Sequence, residues 1–181
     1  MVIMCKNSIT LYDLNNNDAV IYHTVKITLL LIGSTDKSYL NEGIGDYQKR
    51  LVHYMPFEIR VIPDVKNSRH LSADQQKEKE GKSILDLVAS GDELILLDVE
   101  GAEYSSPGLA GWIGKKMLAG TRQVIFAVGG PYGFSDAVYK RADAKISLSR
   151  LTFPHQLVRL IFIEQLYRAM TIIKGEPYHH G

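Results

Sequence analysis

The sequence has a single cysteine, Cys5, among its 181 residues. No internal disulfide can form, and no Cys/His cluster has zinc-site spacing, so a reducing compartment, the cytoplasm, is the expected setting. Long hydrophobic runs are missing too: the longest, Ile27 to Ile32 with its neighbours, falls far short of the ~20 residues that cross a bilayer. Residues 1–24 have no basic stretch leading into an apolar segment and a small-residue cleavage site, and so do not read as a signal peptide. Nor is there an excess of one charge: 21 Lys and Arg stand against 20 Asp and Glu. Bulk charge therefore does not mark a nucleic-acid binder, and any RNA contact must come from a local patch. Common site motifs are absent as well. Val128 stands where a dinucleotide fingerprint needs glycine, and no phosphate loop, nucleophile elbow or zinc-protease helix motif occurs. Asp98 and Glu100 have no third ligand or histidine beside them, so no metal site is expected.

What is present is a globular composition, 45% hydrophobic and 23% charged, long enough for one domain and too short for two ordinary ones. Residues 1–24, with Asn15-Asn16-Asn17 and weak periodicity, read as a loosely organised N-terminal extension. The alternative is a strand or two added at a domain edge. From residue 25 to 181 short β-branched runs alternate with helical stretches, the pattern of a single α/β domain with a largely parallel sheet and helices on both faces. Strands are predicted at 26–32, 58–62, 93–98, 123–128 and 145–148, and helices at 37–54, 73–89, 107–119, 135–141 and 154–173. Ser72 with Gln75 forms a capping-box signature, Ser106-Pro107 places a cap before a first-turn proline, and Pro154 repeats that logic. Gly91 and Gly120 fall where left-handed helix caps want glycine.

The last predicted helix is apolar nearly all round, with Leu157, Phe162, Ile163, Leu166 and Met170 among its residues, so it must be covered on several sides. A second subunit is a natural cover, and a central core helix is the alternative. Three loops follow successive strands at their carboxyl ends, where open α/β sheets bind ligands: Asp98 to Gly101, Gly129 to Gly133, and Ser147 to Thr152. The closing stretch concentrates polar groups, His155, Arg159, Glu164, Arg168, Lys174, Tyr178, His179 and His180. His155 and Arg159 are one turn apart, and Glu164 precedes Arg168 at the favourable i,i+4 spacing.

These residues resemble a known family, the RlmH-type SPOUT methyltransferases. The resemblance runs from about Val25 to the end. It includes the Val-Lys-Ile-Thr strand at 25–28, the Tyr39 to Arg50 helix, Leu97-Asp98-x-x-Gly101 with Ser105-Ser106, and Ala127-Val128-Gly129-Gly130-x-x-Gly133. Its most specific part is SLSRLTFPHQLVRLIFIEQLYRAMTIIKGEPYHH, which is similar to the family signature almost end to end. The resemblance implies a parallel-sheet SPOUT fold with a C-terminal deep trefoil knot and a homodimer whose last helices pack together. It also implies S-adenosyl-L-methionine (SAM) held by Leu97, Gly129 and the run Leu148, Ser149, Arg150, Leu151, Thr152 and Phe153. The implied reaction is methyl transfer to N3 of a pseudouridine in 23S ribosomal RNA within the assembled 70S ribosome, with no membrane and no metal. A nitrogen nucleophile must lose its proton, so a base or anion-stabilising cations should lie near it. His155, Arg168, Tyr178, His179 and His180 are the candidates.

Members of the family usually begin near Val25, and valine is what an internal GTG start codon encodes, so residues 1–24 are expected to be translated upstream sequence. Relatives usually carry a charged residue or two at the position of the terminal Gly181. Two other function classes compete: an α/β oxidoreductase with a nucleotide cofactor in the same loops, and a non-catalytic ribosome-associated module.

Overall fold

The computed structural model describes residues 2–5, 8–13, 18–65 and 68–178, with side chains from His23 onward except that of Ser68. Three strands, β1 (Val2–Cys5), β2 (Ser8–Asp13) and β3 (Asp18–His23), lie in the segment read as an extension. They pair antiparallel with one another as a separate sheet, and β3 packs beside a helix of the main domain.

The main sheet has five parallel strands, β4 (Lys26–Ile32), β5 (Phe57–Ile62), β6 (Glu93–Glu103), β7 (Gln123–Val128) and β8 (Ala144–Ser147), in the order β5-β4-β7-β6-β8. Between and after them come α1 (Ser38–Leu51), α2 (Ala73–Leu85), α3 (Ser106–Leu118), α4 (Asp136–Arg141) and α5 (His155–Ile173). Side chains alternate across a strand, and the two faces separate accordingly. Ile27, Leu29 and Leu31 join Phe126 and the buried residues of α1, α3 and α5. Leu30, Ile32, Leu94, Leu96, Ile125 and Ala127 face α2 and α4 through Ile84 and Val138. Strands covered on both faces must be apolar throughout, which is why β4 and β7 read as continuous runs.

The helix starts follow local chemistry. Ser72 accepts from the Gln75 amide while the Gln75 side chain accepts from the Ser72 amide, a complete capping box. The cap of α3 is Ser105 rather than the expected Ser106, because Ser105 is the residue whose backbone is extended and whose hydroxyl accepts from the Gly108 amide. Gly120 takes the left-handed conformation, φ 70°. Gly91 does not; α2 ends earlier, at a right-handed Asp86.

One irregularity shapes the site. On β6, Leu97 and Ala102 both pair with Ile146 of β8, so Asp98 to Gly101 bulge out of the ladder and the strand resumes to Glu103. Gly101 is required there: a Cβ would lie 2.5 Å from the Ile146 main chain. Bulges re-aim side chains next to functional sites, and this one carries Asp98 and Val99 over the carboxyl ends of the strands.

Candidate active site

The bulge of β6 and the segments that follow β7 and β8 converge on one cleft with two connected parts. A narrow part of about 80 Å³ is lined by Ser147, Leu148, Ser149, Leu151, Thr152 and Phe153. An open part of about 480 Å³ is lined by Gly129, Gly130, Pro131, Gly133, Phe134, Pro154 and His155. Leu97, Asp98, Val99, Phe153 and Val158 border both. The geometry thus brings Leu97 and Gly129, distant in sequence, together with Leu148, Ser149, Leu151, Thr152, Phe153 and His155.

Local chemistry explains each wall. Gly133, at φ 80°, closes a tight turn in which its amide donates to the Gly130 carbonyl at 3.1 Å. A Cβ on Gly129 would press against the Gly133 carbonyl and the Phe134 ring at 3.3 Å, so glycine keeps the strand end open. In the loop after β8, the Ser147 hydroxyl donates to the Ser149 carbonyl and the Leu151 amide donates to the Ser149 hydroxyl, both at 2.9 Å. The walls combine apolar side chains with hydroxyls, the Asp98 carboxylate and the His155 imidazole, a surface suited to a nucleoside-like ligand. Asp98 is fixed from two sides, accepting from the Glu100 amide at 2.9 Å and from the Tyr139 hydroxyl at 2.6 Å. Burial first, and Asp98 second, hold the Tyr139 phenol above its ordinary range, so Tyr139 is a neutral donor.

The start of α5 is bolted to the end of β4. Arg159, 0% exposed, donates to the carbonyls of Ile32 (2.6 Å) and Gly33 (3.0 Å) and to the Thr35 hydroxyl (2.8 Å). Gln156 donates to the Asp36 carboxylate and accepts from its amide. Arg159 is therefore a structural tie, separate in role from His155 one turn earlier.

Other predicted site residues lie elsewhere. The Arg150 side chain is 89% exposed and paired with Glu103 at 3.3 Å, outside the cleft lining. Arg168 pairs with Glu164 through Nε (3.1 Å) and Nη2 (2.5 Å), with its guanidinium 4.8 Å from the centre of the Tyr178 ring. The Tyr178 hydroxyl shares a hydrogen bond with Tyr47 and donates to Glu164, each at 3.3 Å. The Tyr47 hydrogen bond first, and burial second, raise its pKa, so Tyr178 is a neutral phenol. Within the single chain Arg168 and Tyr178 form a cluster against α1 and do not line the cleft. His179 and His180 lie outside the described residues. Sequence reading missed Val158, whose only signal is its place one turn after Pro154; Val99, within the expected Asp98 to Gly101 loop, is carried into the lining by the β6 bulge. Among the described residues there is no cluster of potential metal ligands and no helix long and apolar enough to cross a membrane.

A five-stranded parallel sheet with helices on both faces, and a cleft built from three loops at its strand ends, define an α/β protein with a ligand site at the topological switch of its sheet. Residues 25–179 match the family described as "Predicted SPOUT methyltransferase". The chain is 56% identical over 156 residues to a Parabacteroides distasonis protein named ribosomal RNA large subunit methyltransferase H, spanning 86% of this chain and 99% of the relative. Proteins of the same name from Flavobacterium johnsoniae (52%) and Cytophaga hutchinsonii (54%) match over 86% of this chain and 99% and 100% of their own lengths. The chain belongs to the SPOUT methyltransferase family, among its RlmH-type members.

Proposed function

We propose that this protein transfers a methyl group from SAM to N3 of a pseudouridine in 23S ribosomal RNA, acting as a cytoplasmic homodimer on the assembled 70S ribosome. The observation that carries the reading is the convergence of Leu97, Gly129, Leu148, Ser149, Leu151, Thr152 and Phe153 on one cleft walled largely by apolar side chains, in a chain of this family.

The cleft fits the cofactor. Gly129 leaves room at the strand end, the narrow part takes a flat apolar group, and exposed peptides can read the edge of an adenine. Leu97, Gly129, Leu148, Ser149, Leu151, Thr152 and Phe153 would hold SAM. Arg150 would serve from the rim, since its side chain points to Glu103. When bound, SAM supplies an electrophilic methyl group. The protein's part is to orient the nucleoside, exclude water and accept a proton from N3. His155 is the titratable candidate that faces the cleft within the chain. Arg168, Tyr178, His179 and His180 would serve the cleft of the partner subunit, Arg168 by stabilising a nucleobase anion. Two features support pairing of copies: Leu157, Leu160, Ile161, Ile172 and Ile173 on α5 are incompletely buried, and Arg168 and Tyr178 sit away from the cleft of their own chain. A trefoil knot, with α5 and the loop before it threaded through the chain, is part of this proposal, as is an autonomous domain over 25–181 with residues 1–24 as an extension.

The test is thermal unfolding with candidate ligands. SAM and its demethylated product should raise the melting temperature, while NAD and NADP should not. Stabilisation by NAD with none by SAM would overturn the assignment.

A further inference from the structure

Glu80, on α2, is 3% exposed. One carboxyl oxygen accepts from the Gln76 side chain at 2.7 Å; the other, Oε2, is buried with no hydrogen-bond partner among the described residues. That oxygen lies directly against Gly130 of the cleft, so close that a Cβ there would collide with it. The next residue, Gly81, is just as close to the Ser135 hydroxyl, which is also buried and unpartnered. Two orphaned polar atoms at one seam, between α2 and the segment from Gly130 to Ser135, are exceptional, because buried polar groups are nearly always satisfied.

We propose that Glu80 is a positioning residue for the ligand cleft: its buried carboxyl group packs against Gly130 and supports the Gly129–Gly133 turn in the shape that lines the cleft. Glu80 touches no ligand and acts only through Gly130. Burial, the larger influence, and the Asp64 carboxylate both raise its pKa, with the Gln76 hydrogen bond opposing them. Asp64, which follows β5, is the charged group acting on it. Arg159 of α5 and Asp64 influence one another electrostatically, and the Gly130–Ser135 segment presents main chain and a hydroxyl. As a neutral acid, Glu80 sets an uncharged oxygen against Gly130. Ionised, it would bury an unpaired charge there. The neutral form is thus the binding-competent one, and ligand affinity is full below its raised pKa and lost as pH rises through it.

The proposal rests on the SAM reading for its ligand but has a readout independent of it. SAM is titrated calorimetrically into the full chain from about pH 5 to about pH 9 for wild type, Glu80→Gln and Glu80→Leu. Amide hydrogen exchange across residues 129–133 is measured on the same proteins without SAM. Glu80→Gln, which keeps the shape of the neutral acid but cannot ionise, should bind like the wild type at low pH and lose the alkaline decline. Glu80→Leu should bind at least about tenfold more weakly and exchange the turn amides faster. Parallel pH profiles for wild type and Glu80→Gln, or unchanged exchange in Glu80→Leu, would overturn the proposal. If Glu80→Leu does not fold, the comparison of wild type with Glu80→Gln decides. If even the wild type binds no SAM, the methyltransferase reading fails, while exchange in wild type, Glu80→Gln and Glu80→Leu still decides the role of Glu80.

Discussion

Replacing Arg159 by methionine tests how α5 is fixed to the sheet. The arginine makes three hydrogen bonds, to the Ile32 and Gly33 carbonyls and the Thr35 hydroxyl, from a side chain with no exposure. Hydrogen bonds from a charged donor are worth about 1.5–3 kcal/mol each. Against that stands the cost of burying the guanidinium, several kcal/mol as an order of magnitude; burial correspondingly lowers its pKa, with Asp36 and Asp64 compensating in part. Methionine retains an unbranched stem and removes both the bonds and the buried charge. What remains is two main-chain carbonyls without their donor, at about 1–3 kcal/mol each, and a poorer fill at the guanidinium position. The expected loss is about 2–4 kcal/mol. Urea unfolding followed through Trp112, the only tryptophan, whose ring packs on Phe126 at 6.1 Å, measures it directly. Arg159→Lys should fall between the two, since an ammonium cannot span all three acceptors. An Arg159→Met protein within about 1 kcal/mol of wild type would refute the reasoning and imply that the bonds merely offset desolvation.

Gly129→Val should abolish SAM binding, because its side chain would project from a position where even a Cβ is tight against the Gly133 carbonyl; a cooperatively folding variant with wild-type affinity in calorimetry would contradict the cleft assignment. A chain whose initiator methionine replaces Val25 and runs on from Lys26 should match the full chain in melting temperature and methylation rate, since among the described residues β1, β2 and β3 pair only with one another; a clear drop in either would show that the contact of β3 with α3 matters. Mixing the Gly129→Val chain with one lacking residues 178–181 should restore part of the activity that neither has alone, as read by methyl incorporation, if each site draws its tail from the partner. Inactive mixtures would place the whole site in one chain.

Much of the fold was legible because it follows from burial and capping. Residues 26–32 and 123–128 are apolar on both faces, so their strand limits coincide with their hydrophobic limits. Ser72 and Gln75 announce their helix by hydrogen-bond geometry alone. The misses have equally physical origins. Ser105 and Ser106 are chemically interchangeable as caps, and only backbone angles choose between them. The far end of β6 was hidden because Asp98 to Gly101 bulge outward and break the apolar pattern. Periodicity placed Arg159 one turn from His155 among the polar groups of the closing stretch, but side-chain direction, set by tertiary packing, aims it at β4. The loops of the cleft were legible from the rule that ligands gather at strand carboxyl ends. Glu80 was not, because nothing in a helical sequence reveals which carboxylate will be buried under a glycine turn.

The most direct measurement is mass spectrometry of 23S ribosomal RNA from cells lacking the gene, before and after incubation of their 70S ribosomes with the purified protein and SAM. The expected result is one pseudouridine that lacks its N3 methyl group in those cells and regains it on incubation. Ribosomal RNA with an unchanged methylation pattern in cells without the gene, and no methyl group gained in vitro, would contradict the proposed function.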